Sequence, residues 1–152
     1  MPTITPAYLY TFVALIAVSS MLIFSFMAYA DTLRVPLEIK QLKNLVDYVV
    51  AKGTELLTLA RTTNATTETF LQMPTTIGNK QYWIRFRNDS AEAWLEGGFG
   101  NTFTQGTELR TYFPKEVWAT GYYRGGYGAA HLKCQVNGAI PQIRLTSSSE
   151  GE

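Results

Sequence analysis

The chain has 152 residues, enough for one modest domain with an appendage. Its 13 Lys and Arg against 12 Asp and Glu leave it nearly neutral, which argues against a dedicated nucleic-acid binder with a basic face. The single cysteine, Cys134, excludes an intramolecular disulfide, so an extracellular domain would have to be held by its core or by neighbours.

Every charged side chain follows residue 30. From Ala7 to Ala30 the only polar interruptions are Thr, Ser and Tyr. As a helix this run is about 36 Å long, enough to cross a hydrocarbon layer of roughly 30 Å. Tyr8, Tyr10 and Phe12 lie near one end and Phe24, Phe26 and Tyr29 near the other, as in interfacial aromatic bands. Two other readings compete with a membrane helix: a secretory signal ending at Ala28-Tyr29-Ala30, and a buried helix of a soluble fold. The signal reading lacks a basic start, and its apolar stretch is too long. Arg34, Lys40 and Lys43 follow the run and would place the rest of the chain in the cytoplasm. Two sequons, Asn64-Ala65-Thr66 and Asn88-Asp89-Ser90, matter only outside it, which makes Asn64 and Asn88 candidate N-glycosylation sites. A short basic leader, removed or outside the recorded start, would resolve that conflict.

Pro36 is expected to kink or interrupt the helix, because it lacks an N–H and crowds the preceding turn. Beyond it Ile39, Leu42, Val46, Val49 and Leu56 recur at spacings of three and four, with a gap at Gly53. Lys40, Lys43, Asp47 and Glu55 occupy the other face. This predicts an amphipathic helix that fades in the polar loop at Arg61–Thr67, with Gly53 as a soft point. Its apolar face is expected on the chain's own sheet, on copies of itself, or on both.

From Thr69 the period changes to two. Tyr82, Ile84 and Phe86 alternate with Trp83, Arg85 and Arg87, and Ala91, Ala93 and Leu95 with Glu92, Trp94 and Glu96. Asn88-Asp89-Ser90 supplies turn chemistry, so these form a hairpin. Gly97-Gly98-Phe99-Gly100 is expected to break the pattern. Leu109–Phe113 reads as a strand stopped by Pro114, and Gly121–Gly128 as a loop or bulge. Ala130, Leu132, Cys134 and Val136 alternate with His131, Lys133 and Gln135. Ile140, Ile143 and Leu145 close the domain, and Ser147–Glu152 reads as a disordered tail. The expected fold is α+β: an apolar helix over residues 1–30, an amphipathic linker helix over 31–62 and a β-rich domain over 63–146. The last is a small antiparallel sheet of five or six strands with the helix across one face, followed by the tail at 147–152.

Catalytic chemistry is thin. His131 and Cys134 are three apart on a strand, so they face opposite sides, and one His with one Cys is too few for a usual zinc site. No cofactor or metal is expected. Cys134 reads as a core residue and His131 as an exposed one. Neither glycine cluster continues into Gly-Lys-Ser/Thr, so neither is a phosphate loop. Trp83, Trp94, Trp118, Tyr122, Tyr123 and Tyr127 are candidates for a surface contact patch, or else pack on the sheet's second face. Acids flanking Arg85 and Arg87 favour a solvated face over nucleic-acid contact.

An apolar helix, a proline, a continuing amphipathic helix and a β-domain, in that order, resemble the type IV pilin architecture. Met73-Pro-Thr-Thr-Ile77-Gly78-Asn-Lys-Gln-Tyr82-Trp-Ile84 is similar to a segment of archaeal type IV pilin-like proteins. Gly125-Gly126, Leu132, Gly138-Ala-Ile140 and Ile143-Arg-Leu145 resemble their closing hairpin. The resemblance spans nearly the whole chain as architecture and about a dozen positions as motif. It implies a structural, non-catalytic subunit whose apolar helix is held in the membrane and then packs into the core of a surface filament. Leu9, Phe12, Leu15, Ile16, Leu22, Ile23 and Phe26 are then the helix-core packing residues. The implied partners are the membrane before assembly, copies of the chain afterwards and glycans at the outer surface, for adhesion or motility, with no nucleic acid. The family's basic leader is not seen before Met1, and no Glu precedes Glu38 in the apolar helix. A single-span accessory or stator-like relative that never polymerises is the alternative, and a membrane-tethered enzyme a third.

Overall fold

The computed structural model describes residues 6–103 and 109–150. One helix, α1, runs from Pro6 to Thr63, and seven strands follow: β1 Thr67–Leu71, β2 Tyr82–Asn88, β3 Ala93–Phe99, β4 Arg110–Tyr112, β5 Trp118–Arg124, β6 Ala130–Gln135 and β7 Gln142–Ser147. The chain divides into two compact units, Met1–Leu37 and Glu38–Glu152.

In the first unit every described side chain is exposed. Helix α1 is long and apolar enough to cross a membrane, with none of its most apolar window buried. Of the two outcomes expected at Pro36, a kink or an interruption, the interruption does not occur, and α1 continues through it. The proline removes a single N–H bond, the one to the Thr32 carbonyl, and its neighbours keep the ladder closed on both sides.

In the second unit the part of α1 after Pro36 lies on one face of a seven-stranded sheet ordered β1-β6-β7-β5-β2-β3-β4. All pairings are antiparallel except β5 with β7. The class is therefore α+β, with seven strands rather than five or six. The β2–β3 hairpin forms as expected. Asp89 sits in its turn, and its Oδ1 accepts from the Ala91 and Glu92 N–H groups. Strands β6 and β7 form the closing hairpin.

The buried helical stripe is Leu42, Val46, Val49, Val50, Gly53, Leu57 and Ala60. It differs from the expected stripe at its ends: Ile39 is 43% exposed and Leu56 only half-buried. Gly53 is buried within the stripe. Rather than a soft point it is the closest approach of helix to sheet, where a Cβ would stand 2.8 Å from Ile143 Cδ1 and 3.2 Å from Phe113 Cε1. Seating the helix there turns Leu57 and Ala60 inward instead of Leu56. Gly97 does the same from the sheet side, since a Cβ would lie 3.0 Å from Val46 Cγ2. Leu42, Val46 and Val49 are fully buried, each stabilising the fold by about 1.5–3 kcal/mol.

Part of each glycine-rich stretch is strand, while Gly100 follows β3 and Gly125, Gly126 and Gly128 form the expected turn between β5 and β6. Gly97 and Gly98 lie within β3, and Gly121 within β5. Gly121 has φ 102°, and a Cβ there would strike the Leu145 backbone carbonyl of its parallel neighbour. Only glycine fits both demands. Ser147 is not part of a tail but the buried last residue of β7, followed by a 3₁₀ turn at Ser148–Glu150. Residues 151–152 lie outside the described residues. Ile140 is 42% exposed and does not close the core, a role left to Ile143 and Leu145.

The Ile77–Lys80 turn belongs to the segment that carries the pilin resemblance. Gly78 and Asn79 have φ of 57° and 63°, the pair of positive values that a type I′ turn requires. The turn sits on Glu38, whose carboxylate would collide with any Cβ at Gly78. Glu38 is buried and its Oε2 lies 2.7 Å from Lys80 Nζ. The Tyr82 hydroxyl donates to the Pro74 carbonyl, tying the same segment to β2.

Candidate functional site

Two surfaces stand out. The first is the apolar helix. Leu9, Phe12, Leu15, Ile16, Leu22, Ile23 and Phe26, expected to pack in a helix core, are all more than half exposed in the single chain. They share one broad side of the helix, and exposed Tyr10, Val13, Val18, Met21 and Phe24 cover the rest, so no single packing face covers the apolar surface. A helix apolar all round is stable only in lipid or among other apolar helices. The hydroxyls along it are satisfied locally: Thr11 donates to the Ala7 carbonyl and Ser20 to that of Ile16, at 2.9 and 2.8 Å.

The second is the sheet face that points away from α1. Two of the six aromatics considered for a surface patch are not on a surface. Trp83 is 0% exposed and Tyr123 1% exposed. Tyr123 pairs in register with Ile84, so it faces the helix side, where its hydroxyl donates to the Gly128 carbonyl at 2.6 Å. Trp83 does face outward, but it lies opposite Gly98, where a Cβ would be 2.6 Å from its ring. The missing side chain lets the indole lie flat on the sheet. Phe103 meets it edge-on at 5.0 Å and the Arg85 guanidinium stands 5.6 Å from its centroid. Trp94 is half-buried against Tyr112 at 5.7 Å, with the Arg110 guanidinium 5.5 Å from its ring. Tyr122 and Tyr127 are exposed. Trp118, at 50% exposure, and Tyr112, at 48%, complete the aromatic surface.

The same face holds a buried carboxylate that periodicity could not reveal. Glu96 is 0% exposed. Arg85 Nε donates to its Oε1 at 3.0 Å, and Arg87 Nη1 and Arg110 Nε stand 3.7 and 3.9 Å from the carboxylate. Register explains the cluster, since Arg85 and Arg110 are the cross-strand partners of Glu96 on its two sides. The flanking acids therefore do not make this a uniformly solvated face. One acid is consumed beneath three arginines, and the cations remain outermost.

His131 and Cys134 are not brought together. His131 stacks on Phe70 at 4.6 Å and lies 3.2 Å from Glu68 Oε2. Cys134 is wholly buried on the other face, and burial pushes its thiol up to about 12. Burial likewise raises the Tyr82 and Tyr123 hydroxyls. Burial pushes Asp47 upward, but hydrogen bonds from Thr111 and Lys43 outweigh it and leave the carboxyl below its ordinary value. The backbone N–H groups of Ala91 and Glu92 lower Asp89. Among the described residues no three His, Cys, Asp or Glu side chains gather as a metal site would need.

The two sequons differ sharply. Asn64 is exposed at the C-terminal end of α1, in the left-handed conformation with φ 51° that asparagine tolerates there. Asn88 is half-buried, and its amide Nδ2, the atom a glycan would join, donates to the Ala119 carbonyl at 2.8 Å. No protein-family model, curated protein or solved structure matches this chain.

Proposed function

We propose that the chain is a structural, non-catalytic subunit of an extracellular filament of the type IV pilus kind, similar to archaeal pilin-like proteins. In this reading the apolar part of α1 is held in the membrane and then forms the filament core against copies of itself. The sheet domain covers the outside and serves adhesion or motility. The observation that carries the reading is that Leu9, Phe12, Leu15, Ile16, Leu22, Ile23 and Phe26 are all more than half exposed in a chain whose sheet domain has its own core. Lipid satisfies these side chains in one state and neighbouring helices satisfy them in the other. Ala14, Ala17, Ser19 and Ser20 allow close helix approach. Identical contacts that do not close build an open helical polymer.

The test is to shear cells that make the chain and examine the released material by negative-stain microscopy with antibody labelling. Labelled filaments are expected, and Ala17→Arg should abolish them while leaving the sheet domain folded. Retention of the wild-type chain in the membrane fraction, with no filament containing it, rejects the reading. A second reading is favoured by the length of α1 alone: a single-span accessory protein that keeps its anchor and never polymerises. That protein would stay membrane-bound under shear.

A further inference from the structure

The outer sheet face carries two open clefts that share a floor at Trp118, Thr120 and Gly121. One, of about 300 Å³, is walled by Lys133, Arg144, Gln135 and Gln142. The other, of about 370 Å³, is walled by Arg85, Arg87 and Asn88. Both volumes fall in the range of small-ligand clefts. Trp118 stands between them, half exposed. Among the described residues no carboxylate lines either cleft. Arg85 and Arg87 are already paired with Glu96, but Lys133 and Arg144 have no carboxylate within ion-pair distance among the described residues. A chain with net charge of only +1 thus sets Lys133 and Arg144 beside one exposed indole, with Glu68, held by His131, as the nearest acid in register.

From this we infer that the face around Trp118 binds an acidic polysaccharide, with one sugar ring stacked on the indole and its carboxylate or sulfate groups held by Arg144 and Lys133. Charge complementarity sets the sign of the ligand. The amide groups of Gln135 and Gln142 offer donors and acceptors to hydroxyls, which a saccharide presents and a bare phosphate chain does not. Trp118 is the one exposed ring lining the clefts, which fits a saccharide better than single-stranded nucleic acid, held by aromatics serving successive bases. The inference goes beyond the filament reading and does not need it, because the clefts belong wholly to the sheet domain.

The experiment uses the full chain in detergent micelles, so polymerisation plays no part. Binding of alginate, of neutral dextran of equal length and of a single-stranded DNA oligonucleotide is measured by calorimetry and by tryptophan fluorescence. Alginate is expected to bind and to weaken with added salt, while dextran does not bind. Trp118→Ala should weaken alginate by ~30-fold, as for a central aromatic anchor. Lys133→Gln with Arg144→Gln should weaken it as well and flatten the salt dependence. Burial of the Cys134 thiol in each variant confirms that the sheet is intact. DNA binding as tight as alginate, dextran binding as tight as alginate, or alginate binding untouched by Trp118→Ala in a folded variant overturns the inference.

Discussion

The contact at Gly53 makes a quantitative prediction. A glycine inside a helix costs about 1 kcal/mol relative to alanine, so Gly53→Ala on an isolated helix would stabilise by that amount. Here the new methyl would arrive 2.8 Å from Ile143 Cδ1 and 3.2 Å from Phe113 Cε1. Overpacking of a closed core costs about 1–3 kcal/mol. The sum runs from neutral to about 2 kcal/mol destabilising. Ile143→Val removes the atom nearest the methyl and alone costs about 0.5–1.5 kcal/mol. In the double variant the methyl occupies the vacated space and the helix keeps its gain. The double variant should therefore be at least as stable as Ile143→Val alone, with a coupling energy of about 1 kcal/mol or more. Denaturant unfolding of the full chain in micelles, followed by reaction of Cys134 with a thiol reagent, measures all four corners of the cycle. Additive effects, or a Gly53→Ala variant that gains the whole helix propensity, would refute the close helix–sheet contact.

Two further predictions concern Cys134 and the sequons. The Cys134 thiol, raised from 9.0 to about 12, should be inert in the native chain at pH 8 and react only on opening. Its folded value lies above its unfolded one, so its contribution to stability is intact below pH 9.0 and drains away as pH rises toward 12. The loss is at most ~1.4 kcal/mol for each pH unit in that window. Cys134→Ala should flatten this alkaline slope, and a slope unchanged by the substitution would contradict the burial. Produced in a host that glycosylates sequons, the chain should carry a glycan at Asn64 and none at Asn88. Intact mass with peptide mapping reads this directly, and occupancy at Asn88 alone would reverse the assignment.

The 3.6-residue period announced the helix after Pro36, and the two-residue period with Asn88-Asp89-Ser90 announced the β2–β3 hairpin, because both patterns are written in consecutive residues. Cys134 was legible as core for the same reason. What stayed hidden depends on partners distant in sequence. Gly97 and Gly98 read as breakers until the helix and Trp83 are seen lying against them. Trp83 stayed open between a surface contact and packing on the sheet's second face, because alternation gives the side of the sheet but not what covers that side. Tyr123 was masked by the glycines before and after it, which hid the strand and so its inward direction. Glu96 looked solvated until cross-strand pairing placed Arg85 and Arg110 beside it. The parallel β5–β7 contact, which depends on Gly121, has no local signature. The apolar helix is the opposite case. Its composition was plain from the start, and its exposure adds that none of the described residues buries it.

The central claim is that other copies of the chain cover that helix. A photo-crosslinking amino acid in place of Leu15, in cells making the full chain, tests it most directly. Irradiation followed by shearing should give a ladder of self-crosslinked chains in the released material. Adducts confined to lipid or to unrelated proteins, with the chain left in the membrane, would contradict it.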